Sequence, residues 1–231
     1  MQEPDARPAT TYVGRKICTK SVIPHLKGRF MRRKMVMASA LVLILLGCGD
    51  NAGPTGVPDA ELHIVRQDTL APPLVATQAS FWAKVGDGRE LHLNYQGVAP
   101  GSIGEEFLRF EVPGDGLYRK PDGSAFQPGD SILITVTVLD PTKFLFEFEP
   151  SGLRFSPDHP ARLKVEYFDG QHDFNEDGVV DSLDVEIEHT LDLWERSGPG
   201  APWFKLGAVK FEELDELDAN IFSFTEHAVA W

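Results

Sequence analysis

Cysteine is nearly absent: the 231 residues hold two, Cys18 and Cys48, and none follows position 48. A chain with no thiol beyond that point can form no disulfide there and offers no thiolate spacing for zinc. Long apolar runs are missing too. The longest covers 35–46, about a dozen residues, whereas a helix that crosses a bilayer needs roughly 20. Basic charge is scarce after the start: nine of the 22 Lys+Arg but two of the 35 Asp+Glu precede Cys48, which leaves 13 basic against 33 acidic side chains, a net −20. Such a surface repels nucleic acid and anionic headgroups and attracts cations, so no nucleic-acid partner is expected. There is no nucleophile triad pattern, no glycine-rich phosphate loop and no long helical period. The histidines at 63, 92, 159, 172, 189 and 227 show no metal-ligand spacing.

What is present begins with Met31-Arg32-Arg33-Lys34 ahead of the apolar run. A basic n-region followed by a short apolar h-region reads as a signal segment, not a span. It closes on Leu45-Leu46-Gly47-Cys48, which resembles the lipobox recognised by bacterial lipoprotein-processing enzymes. The resemblance implies cleavage after Gly47, a diacylglycerol on the sulfur of Cys48 and an N-acyl lipid on its amino group. One acyl chain binds membranes only marginally, at about 0.8 kcal/mol per buried methylene, and two or more anchor durably. Segment 1–30, polar with six basic side chains, precedes the better start at Met31 and reads as a mis-assigned upstream stretch. The expected organisation is therefore a signal peptide over 31–47, a flexible tether over 48–75 and a folded domain over 76–231. The expected location is the cell envelope, outside the cytoplasm. Gly49 after the cysteine, in place of aspartate, favours the outer membrane or cell surface by resemblance to sorting signals.

The tether is rich in Gly, Pro, Ala and Thr around one apolar patch, Leu62-His63-Ile64-Val65, which could pair as an edge strand. Beyond it, strand signals recur at short intervals between Gly, Pro and Asp turns: 80–85, 90–95 and 106–112, where Phe107 spoils an otherwise alternating pattern. Pro121-Asp122-Gly123 and Gln127-Pro128-Gly129-Asp130 mark turns, because proline presets φ and glycine accepts positive φ. Segment 131–139 alternates with Ile132, Ile134, Val136 and Val138 on one face. Phe144, Phe146 and Phe148, then Leu163, Val165 and Tyr167, repeat at period two, the spacing of half-buried strands. Leu183 to Trp194 fits both periods and is read as a short helix or turn to about Glu188, then a strand over 189–196. Strands over 203–211 and 219–231 close the chain. The fold class is all-β, an antiparallel β-sandwich with at most one short helix.

Phe146-Glu147-Phe148-Glu149-Pro150-Ser151-Gly152-Leu153-Arg154-Phe155 and Pro160-Ala161-Arg162-Leu163-Lys164-Val165 resemble the central signature of ZU5-like β-sandwich domains of bacterial surface proteins. The end is similar too, with Trp203 before a short strand and Phe224-Thr225 before Ala228-Val229-Ala230-Trp231. The resemblance covers about 107–231 and implies a non-enzymatic scaffold or interaction domain. Some such domains cleave themselves at a His-Phe-Ser motif, where the hydroxyl attacks the preceding carbonyl. Here the corresponding triplet is Ser223-Phe224-Thr225, so Thr225 would be the nucleophile, with His227 two residues on as a base.

One stretch carries ligand chemistry. Asp173-Phe174-Asn175-Glu176-Asp177-Gly178-Val179-Val180-Asp181-Ser182-Leu183-Asp184 matches a twelve-residue calcium loop at positions 1, 3, 5, 6, 9 and 12. Ca²⁺ is a hard cation that takes six to eight oxygens. Carboxylates and amides at alternate positions can curl around it, glycine at the sixth makes the turn, and the seventh gives a backbone carbonyl. The candidate ligands are Asp173, Asn175, Asp177, Val179, Asp181 and Asp184. An aspartate at the twelfth position resembles dockerin loops, although no second repeat is present. The expected function is a lipid-anchored, calcium-stabilised structural or protein-binding module. A self-cleaving domain and a calcium-dependent adhesin are alternatives. An enzyme would need convergent carboxylates in a cleft.

Overall fold

The computed structural model describes residues 56–231. Among these residues thirteen strands, all paired antiparallel in three sheets, build the fold, and one short α-helix lies in a connection. They are β1 (Gln78–Lys84), β2 (Arg89–Gln96), β3 (Ile103–Val112), β4 (Leu117–Arg119), β5 (Ser131–Val138), β6 (Leu145–Glu149), β7 (Arg154–Phe155), β8 (Ala161–Glu166), β9 (Asp192–Arg196), β10 (Phe204–Lys205), β11 (Val209–Phe211), β12 (Glu216–Ile221) and β13 (Glu226–Ala230). A six-stranded sheet runs β1-β5-β6-β13-β9-β10 and a five-stranded one β11-β12-β8-β3-β2, with β4 and β7 forming a small third pair. This is the all-β sandwich expected from the strand pattern.

Alternation decides which side chains fill it. In β5, Ile134, Val136 and Val138 are buried while Thr135 and Thr137 bond outward to Ser80 and Gln78 of β1. From β6, Phe146 and Phe148 reach across to Phe107 and Phe110 of β3, with ring centroids 5.6 and 5.1 Å apart. Tilted and edge-on rings of this kind gain beyond the area they bury. The anomaly at Phe107 has a cause: pairing shifts between Leu93↔Leu108 and Asn94↔Glu106, so Phe107 occupies a bulge. The extra residue turns both Phe107 and Leu108 inward, and both are fully buried.

Three boundaries differ from expectation. Residues 56–75 do not hang free as a tether. They strap the sandwich through bridges Val57↔Trp203, Ile64↔Ala230, Arg66↔Lys143 and Leu74↔Tyr95, and Leu62 and Val65 are buried. The apolar patch supplies the reason, since Val65 both donates to Val229 and accepts from Phe144. Segment 203–211 splits between sheets, β10 joining the first and β11 the second, around Gly207 at φ +72°. The closing segment likewise crosses over, β12 lying in one sheet and β13 in the other. Alternation along the chain does not report such a change of sheet, because both faces concerned point into the same core. Among the described residues no helix is long and apolar enough to cross a membrane.

Candidate functional site

The calcium-type loop connects β8 to β9, and so joins the two sheets. It ends in the helix α1 (Ser182–Glu188). Asp181 is the N-cap of α1, accepting from Leu183 N–H, and Asp184 reaches back to Asp181 N–H, a reciprocal capping box. Asp184 is almost wholly buried, and its other oxygen accepts from Phe174 N–H at 2.7 Å and Asn175 N–H at 3.2 Å. The amides of Asp181, Asn175 and Phe174 hold its carboxyl below the usual carboxylate range. Phe174, pinned by this bond, inserts into the core edge-on to Trp231, 5.5 Å between centroids.

The remaining loop side chains fold onto the loop's own backbone. Asp173 accepts from Asp177 and Gly178 N–H, Asn175 from Asp177 N–H, and Asp177 from Val179 N–H. The chain turns at Glu176, φ +59°, and Gly178, φ +90°. Glycine at the sixth position accepts that angle without a Cβ penalty. The donor types at each position are those a hard cation takes: oxygens of Asp173, Asn175, Asp177 and Asp181 and the Val179 carbonyl. Asp184 is the poorest placed of the six, because three N–H donors take most of the roughly four acceptor positions of a carboxylate. Among the described residues no three His, Cys, Asp or Glu side chains converge closely enough to hold a metal.

Cys48 and the segment 31–47 expected to be a signal peptide lie outside the described residues. Thr225 is half buried, its Oγ1 lying 3.4 Å from the Glu226 carbonyl oxygen. His227 is fully buried, edge-on to Phe148 at 4.9 Å, and neither ring nitrogen has a hydrogen-bond partner among the described residues. Burial pushes its pKa down to about 4. Glu195, 3.9 Å from His227 Nε2, is pushed up by the same cause. The geometry thus places a neutral imidazole in the core.

Two further arrangements escaped sequence reading. Trp203 Nε1–H donates to Asp59, and Arg196 lies over the Trp203 ring while pairing with Asp59 and Glu226. The hydrogen bond from Trp203 and the Arg196 charge hold Asp59 below its usual range. The other is an acid-lined cavity of about 390 Å³ beside Tyr95. Its residues come from four separated segments, so no local spacing marks them. Comparison with protein-family models, with curated proteins and with solved structures gives no match for this chain.

Proposed function

We propose that the chain is a lipid-anchored protein of the cell envelope that carries outside the cytoplasm a non-catalytic, ZU5-like β-sandwich acting as a structural or protein-binding module. The observation that carries this reading is the order basic Arg32-Arg33-Lys34, apolar run, Gly47-Cys48. The mechanism is one of attachment: acyl chains on Cys48 hold the domain at a membrane, while its acidic surface keeps it clear of anionic headgroups. Radiolabelled palmitate fed to cells making the full chain enters the wild type and fails to enter Cys48→Ser. An unlabelled wild type, or an unmodified amino end upstream of position 48, overturns the anchor.

The loop 173–184 belongs to the same reading as a calcium-stabilised joint between the two sheets. Asp173, Asn175, Asp177 and Asp181 and the Val179 carbonyl would hold the ion, which neutralises loop carboxylates that otherwise repel one another. An extracellular site needs a dissociation constant of only about 10⁻⁴–10⁻³ M. Calorimetric titration of the full chain in detergent is expected to show one such site, with a rise in melting temperature that Asp177→Ala abolishes. No heat and no shift would remove calcium from the account. A non-catalytic domain also keeps its C-terminus: the intact mass retains the seven residues from Thr225 onward.

A further inference from the structure

The cavity beside Tyr95 lies at one end of the five-stranded sheet, where antiparallel pairing brings together the end of β2, the start of β3, the end of β8 and the approach to β12. Six of the nine residues lining it are acidic. One ammonium offsets part of that charge: Lys164 bridges Glu106, Glu166 and Glu216 at 2.6 to 3.0 Å. Glu105, Asp169 and Asp215 make no ion pair among the described residues. Burial, then the charges of Asp68 and Glu105, hold Asp169 above the usual carboxylate range.

Tyr95 forms part of the wall. It is 2% exposed, its ring lies edge-on to Phe107, and its hydroxyl has no hydrogen-bond partner among the described residues. A buried hydroxyl left unpaired is costly, and native structures rarely leave one so. Burial and the nearby charges of Asp169 and Glu166 raise its pKa, which keeps the phenol neutral. A neutral phenol oxygen can accept an N–H. Phe168 and Leu214, 67% and 62% exposed, give the chamber apolar walls.

Charge sign excludes an anion. A bare metal ion fits poorly, because Phe168 and Leu214 wall the chamber with apolar surface and Lys164 already pairs with Glu106 and Glu166. We propose that this cavity binds an organic cation, a protonated primary amine or guanidinium on an apolar stem such as the side chain of lysine or arginine. The charged head sits among Glu105, Asp169 and Asp215 and donates to the Tyr95 hydroxyl, while the stem lies between Phe168 and Leu214. This site requires neither the lipid anchor nor the calcium loop.

Calorimetry of the full chain in detergent tests it with pentylamine, Nα-acetyl-lysine methylamide, a short lysine-containing peptide, 1-pentanol and calcium chloride. The amines are expected to bind saturably at one site and pentanol not to. Asp169→Asn and Tyr95→Phe should each weaken amine binding about tenfold, the effect of one hydrogen bond to a charged group. Tyr95→Phe removes only an unpaired hydroxyl, so its melting temperature should equal or exceed that of the wild type and its binding loss cannot be ascribed to unfolding. Tighter binding of the peptide than of pentylamine assigns the site to a protein side chain, and equal binding assigns it to a small amine. The proposal is overturned if no amine saturates, if both variants bind as the wild type does, or if calcium displaces the amines through Asp169.

Discussion

Phe110 and Asp184 are buried alike, 0% and 1% exposed, yet their surroundings have little in common. Phe110 meets Phe148, Phe155 and Phe224 at centroid distances from 5.1 to 6.1 Å. Asp184 meets the amides of Phe174, Asn175 and Asp181. The first environment stabilises by removing apolar area from water and is indifferent to pH or ions. The second stabilises only while a carboxylate is ionised and its amides are in place. One molecule therefore contains an interior that responds to volume and a loop that responds to charge, joined where Phe174 enters the core.

The contrast breaks most visibly at Phe110. Phe110→Ala should cost about 3–5 kcal/mol, read from the urea midpoint at constant slope, because the surrounding rings cannot close the space. A loss below about 1 kcal/mol would mean that the aromatic cluster relaxes like a surface. Next comes His227, which sits in the apolar region but carries a titratable ring. Its folded pKa near 4 lies below the ordinary 6.5, so the unfolded chain binds the extra proton between those values. Stability is complete above about pH 6.5 and falls as pH drops toward 4, by on the order of 3 kcal/mol. His227→Leu should remove that slope in parallel urea titrations, and an unchanged slope would place the titration elsewhere.

Within the loop the effects are smaller. Asp181→Ala removes the N-cap and should cost about 1 kcal/mol, with faster amide exchange confined to α1 and its approach. Asp184 sharpens the comparison by pH instead of by size. Its folded pKa lies below the unfolded 3.8, so its contribution is present above about pH 4 and is lost as pH falls through the depressed value. Exchange at Phe174 and Asn175 amides should accelerate there while Phe110 stays protected. Smallest of all, Val180→Ser at an exposed position of the loop should stay within about 0.5 kcal/mol of the wild type.

Much of the sandwich was legible because alternation is a local property. Ile134, Val136, Val138, Phe146 and Phe148 announce an inward face by spacing alone, and α1 ends at Glu188 as its mixed periodicity suggested. Phe107 looked like noise until the bulge explained it. The loop's turn was readable from Asp-Asn-Asp-Gly spacing. That Asp184 is engaged by amides from both ends of the loop was not, since the partner Phe174 lies ten residues away.

Composition and spacing alone determined the acidic balance, the short apolar run before Cys48, the strand faces and the glycine at position 178, because each depends on a residue and its near neighbours. Only the tertiary structure decided that 56–75 straps the sandwich, that 203–211 and 219–231 change sheets, and that Tyr95 shares a chamber with Asp169 and Asp215. Those outcomes depend on which distant segments share one core, and the choice is made by burying area and pairing backbone groups across the whole chain.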